Sequence, residues 1–208
     1  QGCSDCPAAD KLLKQFIDRG DIVGLTLPVD YWDYLGWKDT LAGARNAERQ
    51  RQYAERFGIG TVYTPQAVVN GAIEVVGSSE SEIDRAIRAT ETALASSRVP
   101  VHFWHYGNSI IIETGSARND TEPKEATIWL AVVQKSAQVA VKAGENAGKT
   151  LTYYNVVREL TPVSVWNGRP ATIRLARAAI MRPETEELVV LIQEANSGPI
   201  IGAARLGD

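Results

Sequence analysis

The chain has 208 residues, of which 44% are hydrophobic, and a formal net charge of -3 from 22 basic and 25 acidic residues. This length and composition predict a folded globular protein and exclude an intrinsically disordered chain. Neither half has a basic excess and no run approaches the roughly 20 apolar residues of a membrane span, so we expect no nucleic-acid partner and no transmembrane segment.

The only two cysteines of the chain, Cys3 and Cys6, stand directly ahead of an amphipathic helical pattern that ends near Gly20. A C-x-x-C pair at the start of a helix suits thiol-disulfide exchange. The positive end of the helix dipole stabilises a thiolate, and the second thiol, one turn away, resolves a mixed disulfide. We therefore expect Cys3 to be the exposed nucleophile and Cys6 to be the resolving cysteine.

The segment after this helix alternates between strand and helix patterns. Residues 22–29 are largely apolar and β-branched, which predicts a strand covered on both faces, and residues 30–37 form an aromatic loop. A second helix is predicted over residues 45–57, ending at Gly58.

The next segment carries turn and capping signals. Asn70-Gly71 between the apolar runs 67–69 and 72–76 predicts a hairpin, because both turn residues need a positive φ. Ser79 and Glu82 form a capping box that opens a third helix.

From residue 99 onward the pattern changes to short β-rich runs separated by turn residues. We predict nine strands, over residues 101–106, 109–114, 127–134, 138–143, 151–160, 163–166, 171–175, 187–194 and 200–206. Such a series favours an antiparallel sandwich or barrel. A boundary near residues 96–100 then divides the chain into domains 1–98 and 99–208.

Four motifs together resemble a known family: residues 1–10 with the C-x-x-C, 29–39, 62–66 with Thr64-Pro65, and 144–146 followed by 155–157. Their order resembles the thioredoxin superfamily and, more narrowly, an uncharacterised bacterial family of thioredoxin-like proteins classed only as a domain of unknown function. The resemblance spans nearly the whole chain. It implies an α/β thioredoxin-like domain followed by an all-β sandwich-like domain.

The resemblance also implies a site. Thr64-Pro65 would be a cis peptide beside the cysteines, leaving a backbone edge on which an extended substrate can pair. The carboxyl ends of parallel strands meet at one sheet edge, so the cysteines, the aromatic loop and Pro65 are expected to converge there. The candidate residues are Cys3, Cys6 and Pro65 for catalysis, and Thr64, Tyr31, Trp32 and Trp37 for substrate binding.

The superfamily places a central strand immediately before the C-x-x-C, whereas only Gln1 and Gly2 precede Cys3 here. We expect that the natural protein has further residues upstream, with an export signal, because an alternative pairing partner is the costlier explanation. A periplasmic or secreted location follows from this expectation.

The leading hypothesis is a thiol-disulfide oxidoreductase of the bacterial envelope, acting on protein or small-molecule thiols and disulfides without a cofactor. One alternative is a copper-binding protein or metallochaperone that uses the same two soft thiolate ligands. Another is a noncatalytic binding module that presents the aromatic loop. That loop can equally pack its own core, and Asp30 or Asp33 is either a proton acceptor for Cys6 or a turn residue.

Two further motifs are set aside. Residues 144–150 look like a phosphate-binding loop, yet only three residues separate the glycines and a strand is predicted to follow. His102 and His105 lie three apart in a predicted strand, so they point to opposite faces. We therefore predict no metal site.

Overall fold

The computed structural model describes residues 1–116, 125–182, 185–195 and 197–206. Its helices are α1 (Cys6–Asp18), α2 (Ala44–Phe57), α3 (Glu80–Ala93) and the short α4 (Arg177–Ile180). Its strands are β1 (Gln66–Val69), β2 (Ile73–Val76), β3 (Val101–Tyr106), β4 (Ser109–Thr114), β5 (Ala126–Ala140), β6 (Thr150–Trp166), β7 (Ala171–Ala176), β8 (Glu187–Glu194) and β9 (Ile200–Arg205). The protein is therefore of mixed α/β class. None of these helices has the length and apolar character needed to cross a membrane.

The three long predicted helices are confirmed. In α1, Leu12 and Phe16 are buried and lie four residues apart, as the amphipathic pattern requires. Gly58 ends α2 with a φ of 67°, a left-handed conformation that glycine adopts without a steric cost.

The predicted hairpin is also confirmed. Asn70 and Gly71 both have a positive φ, of 48° and 64°. The flanking strands β1 and β2 pair antiparallel, with Val69 opposite Ile73. Local turn chemistry thus determines this element.

Two compact units divide the described chain. The first comprises Gln1–Val69, Ile73–Ile87 and Lys135–Val156. One apolar cluster of this unit packs α1 against the hairpin and α3 through Leu12, Phe16 and Ile83. A second cluster joins Tyr153 and its neighbours from the end of β5 and the start of β6 to Trp37.

The strand predicted over residues 22–29 is wrong. Only Thr26 makes a bridge, parallel to Val156. The Thr26 amide donates to the Asn155 carbonyl at 2.9 Å, and the Asn155 side-chain amide donates to the Gly24 carbonyl at 2.9 Å. The start of β6 thus supplies a backbone partner for this segment, and an apolar run alone could not reveal so short a pairing.

The second unit comprises Asn70–Ala72, Arg88–Gln134 and Val157–Asp208. Strands β3-β4-β7 form one sheet and β6-β5-β8-β9 another. Alternate residues of both sheets, such as Phe103, Ile112, Ile128 and Val190, form one buried apolar cluster, as in a two-sheet sandwich.

Four of the nine predicted strands merge into two. Residues 127–134 and 138–143 belong largely to the single strand β5, and residues 151–160 and 163–166 to β6, because the expected breaks continue in extended conformation. The boundary predicted near residues 96–100 stays a prediction. The division by compactness places residues 135–156 with the first unit.

Candidate functional site

The candidate site is centred on a disulfide between Cys3 and Cys6, whose Cα atoms are 5.5 Å apart. Helix α1 begins at Cys6, with Pro7 in its first turn. Cys3 is only 5% exposed, whereas Cys6 is partly exposed. The expectation that Cys3 is the exposed member is therefore wrong for this oxidised pair, because Cys3 is enclosed by residues distant in sequence.

Residues 144–150 form a turn between β5 and β6, here called the 144–150 turn. Asn146 is fully buried, and its side-chain amide donates to the carbonyls of Gln1 at 2.9 Å and Cys3 at 2.8 Å. The Lys149 ammonium donates to the Asn146 side-chain oxygen at 2.9 Å. The Glu145 carboxylate accepts a hydrogen bond from the Ser4 amide at 3.1 Å.

The 144–150 turn therefore holds the cysteine loop, residues 1–6, at three backbone groups. As expected, it is followed by a strand, since β6 begins at Thr150. No role for Glu145 or Asn146 follows from the sequence alone. No signal within their own segment indicates that they bond residues more than 140 positions away.

Trp32 links the cysteine loop to Thr64-Pro65. A Cβ atom added to Gly2 would lie 2.6 Å from the Trp32 Cβ, so these two backbones approach as closely as a glycine allows. The Trp32 indole donates to the Thr64 hydroxyl at 2.9 Å. The Thr64-Pro65 peptide is cis, as predicted.

The other two predicted aromatic residues are anchored by internal hydrogen bonds. The Trp37 indole donates to the Gln1 side-chain oxygen at 2.6 Å, and the Tyr31 hydroxyl donates to the Gln50 side-chain oxygen at 2.9 Å. Burial raises the pKa of Tyr31. Tyr34 is different, because it is 76% exposed while its ring stacks on Trp32 at 6.3 Å between centroids.

Asp10 is a carboxyl group turned into the protein one helical turn after Cys6. Side chains four residues apart share a helix face and lean toward the helix N-terminus, so the Asp10 carboxyl lies on the Cys6 side of α1. Its Oδ2 atom is hidden from solvent and has no hydrogen-bond partner in the described part of the chain. Burial raises the pKa of Asp10 to about 7, an effect reduced by the Gln1 amino group and reinforced by the Asp39 carboxylate.

Two other buried groups lie within electrostatic reach of Asp10. Tyr153 is 4% exposed, and its pKa is raised by burial and then by the Asp10 and Asp39 carboxylates. Asp39 is also buried, and its Oδ1 atom accepts bonds from the Leu41 and Ala42 amides at 2.8 and 3.1 Å. The pKa of Asp10 therefore lies near neutral pH.

The sequence hypothesis considered Asp30 and Asp33, not Asp10, as a proton acceptor. The Asp33 carboxylate instead accepts the Asp39 amide at 3.0 Å, and the Asp30 carbonyl accepts the Asp33 amide at 3.1 Å. Both bonds are those of turn residues. Across residues 1–116, 125–182, 185–195 and 197–206, no group of three or more His, Cys, Asp and Glu side chains could hold a metal ion.

Comparison with known proteins gives two matches. A family model described as "Protein of unknown function (DUF1223)" matches residues 1–193. The crystal structure of a structural-genomics target protein from Agrobacterium tumefaciens is similar, with 33% sequence identity and a TM-score of 0.86. That match covers 100% of this chain and 90% of the other. No curated protein matches.

Proposed function

The chain belongs to the DUF1223 family of proteins of unknown function, and we propose that it is a thiol-disulfide oxidoreductase whose redox centre is the Cys3–Cys6 pair. The observation that carries the proposal is the disulfide between two cysteines at the N-terminal end of α1. The partial charges of a helix N-terminus stabilise a thiolate, which is both the attacking and the leaving species in exchange.

In the reductive direction, one cysteine thiolate attacks a sulfur of the substrate disulfide and releases one substrate thiolate. The second cysteine then attacks the protein sulfur of the mixed disulfide, forms the Cys3–Cys6 bond and releases the second substrate thiolate. The pair loses two electrons and two protons, and the substrate disulfide becomes two thiols. A small-molecule thiol such as glutathione regenerates the dithiol and is itself oxidised to a disulfide.

Asp10 has the position and the proton affinity to act as the proton acceptor when the second cysteine attacks the mixed disulfide. The thiol of the second cysteine must lose its proton before it attacks, and a carboxylate with a pKa near 7 accepts that proton at neutral pH. In the reverse direction, protonated Asp10 returns the proton to the leaving thiolate. Its place four residues after Cys6 favours Cys6 as its partner.

Substrate binding is assigned to Thr64, Pro65 and the aromatic loop. The exposed Tyr34 ring and the Trp32 ring beneath it offer an apolar surface next to the cysteine loop. Tyr31 and Trp37 are held in place by hydrogen bonds to Gln50 and Gln1. We propose that an extended peptide lies along Thr64-Pro65 with an apolar side chain against Tyr34.

The first test is reduction of the insulin disulfides by dithiothreitol with catalytic amounts of the protein. We expect the wild type to accelerate the reaction, and the Cys3→Ser/Cys6→Ser double variant to lower the rate to that of dithiothreitol alone. Each single variant should also lose turnover, because no mixed disulfide forms without the attacking cysteine and none is resolved within the protein without the second cysteine. A wild-type rate equal to that of the double variant would refute the proposal.

The single variants also identify the attacking sulfur. Each single variant is incubated with insulin without reductant and examined by mass spectrometry. The variant that forms a mixed disulfide with insulin retains the nucleophilic cysteine. The greater exposure of Cys6 favours Cys6 as the nucleophile, whereas the position of Cys3 ahead of the helix favours Cys3. A Ser4→Ala variant keeps both thiols and serves as the matched control.

The proposal includes a thioredoxin-like arrangement of the first unit and a periplasmic or secreted location. The order of C-x-x-C, α1, α2, cis Thr64-Pro65, hairpin and α3 supports the former. A periplasmic or secreted location suits the proposed exchange, since substrate disulfides persist in oxidising compartments.

A further inference from the structure

We infer that the 144–150 turn sets the reduction potential of the Cys3–Cys6 pair, with the Glu145 carboxylate holding the pair in its more reducing range. This inference rests on the proposed function and adds a tuning residue to it. The 144–150 turn resembles a phosphate-binding loop in sequence, but its contacts in the structure are with the cysteine loop.

The Glu145 carboxylate is bonded to the loop between the two cysteines. Glu145 accepts the amide of Ser4, a residue between the two cysteines, at 3.1 Å. The amide groups at this end of α1 are the ones available to a cysteine thiolate as hydrogen-bond donors. Ser4 lies just ahead of the Asp5 N-cap of α1, so the Glu145 carboxylate takes up the amide next to these donors and brings a negative charge to the redox pair.

Hydrogen bonds fix the shape of the 144–150 turn and its place against the cysteine loop. Within the turn, the Gly148 amide donates to the Val141 carbonyl at 2.9 Å and the Lys149 amide to the Asn146 carbonyl at 3.1 Å. Asn146 ties the turn to the cysteine loop through the carbonyls of Gln1 and Cys3. Because the buried Asn146 fixes both segments, the adjacent Glu145 is held beside Ser4.

The charge of Glu145 acts on the redox pair electrostatically. A nearby negative charge disfavours a thiolate, so it raises the thiol pKa and destabilises the reduced state relative to the disulfide. The pair becomes a stronger reductant. Asp5 and Asp10 act in the same direction, and the Lys149 ammonium, bonded to Asn146, opposes them.

The test is the reduction potential measured in glutathione redox buffers, together with the thiol pKa from the pH dependence of alkylation. We expect Glu145→Gln to shift the equilibrium constant with glutathione about two- to fivefold toward the dithiol, or about 10 to 20 mV. The thiol pKa should fall in parallel. Both shifts should shrink as the salt concentration rises, because Glu145 is exposed.

Two further variants separate charge from shape. Glu145→Asp keeps the charge and shortens the side chain, so it should stay nearer the wild-type potential than Glu145→Gln does. Glu55→Gln removes the same charge from an exposed position of α2 and should leave the potential unchanged. A Glu145→Gln potential equal to that of Glu55→Gln, or a larger shift in Glu145→Asp than in Glu145→Gln, would overturn the inference.

These measurements do not depend on catalysis of a protein substrate. A chain that fails to accelerate insulin reduction but still shows the Glu145→Gln shift would contradict the proposed function alone. A chain that accelerates insulin reduction without that shift would contradict this inference alone.

Discussion

Replacing Asp10 by Asn is expected to remove about 4 kcal/mol of pH dependence from the free energy of unfolding. One oxygen of the Asp10 carboxyl is hidden from solvent, and the pKa of the group is raised from 3.8 to about 7. An asparagine has the size of the protonated carboxyl but does not titrate. The variant should therefore respond to pH as a protein whose residue 10 is always neutral.

The sign of the effect follows from proton binding. Between pH of about 3.8 and about 7 the folded state keeps a proton on Asp10 that the unfolded state has released. Stability from this group is therefore complete below the unfolded pKa and is lost as the pH rises through the folded pKa. At pH 8 the folded protein must hold a buried carboxylate, which is costly without a hydrogen-bond partner.

The measurement is urea unfolding of the oxidised protein at pH 4 and pH 8. At pH 4, Asp10→Asn is expected to cost about 1 kcal/mol, because a buried amide also lacks a partner there. At pH 8 the variant should be more stable than the wild type. The variant-minus-wild-type difference in the free energy of unfolding should therefore change by about 4 kcal/mol between pH 4 and pH 8. Asp18→Asn changes an exposed position of the same helix. Its difference from the wild type should change by less than about 0.5 kcal/mol between the two pH values. Parallel pH profiles for Asp10→Asn and the wild type would contradict the assignment.

Elements with strong local signals were predictable from the sequence. The buried stripe of α1, the Asn70-Gly71 turn and the apolar runs of β4 and β8 each arise from residues near one another in the chain. The same holds for the C-x-x-C at a helix start. Local pattern does not distinguish one long strand from two short ones, and β5 and β6 were therefore divided.

The environment of the cysteines was not predictable, because distant residues create it. Asn146 reaches Cys3 across a sequence separation of 143, and nothing in a glycine-rich turn indicates its partner. In the sequence, Asp10 is only a charged residue four positions after Cys6. Its hidden oxygen depends on the packing of the first unit, which no helical period describes.

Gly2→Ala is expected to lower stability by about 1 to 3 kcal/mol and the rate of disulfide exchange by about 10- to 100-fold. The added methyl group would lie 2.6 Å from the Trp32 Cβ and 3.3 Å from the Trp32 carbonyl oxygen. Both atoms are fixed to the backbone, so a side-chain rotation cannot relieve the clash. Either the cysteine loop or the aromatic loop must move.

Such a movement affects the redox pair as well as the packing. Gly2 precedes Cys3, and the Trp32 indole bonds the Thr64 hydroxyl at 2.9 Å, so a displaced Trp32 alters both sides of the proposed substrate edge. Urea unfolding measures the stability loss, and insulin reduction measures the exchange rate. Gly60→Ala meets no atom within 4 Å and should leave both unchanged. A Gly2→Ala protein with wild-type stability and rate would show that the cysteine loop does not depend on Trp32, and the assignment of the aromatic loop to this site would then fail.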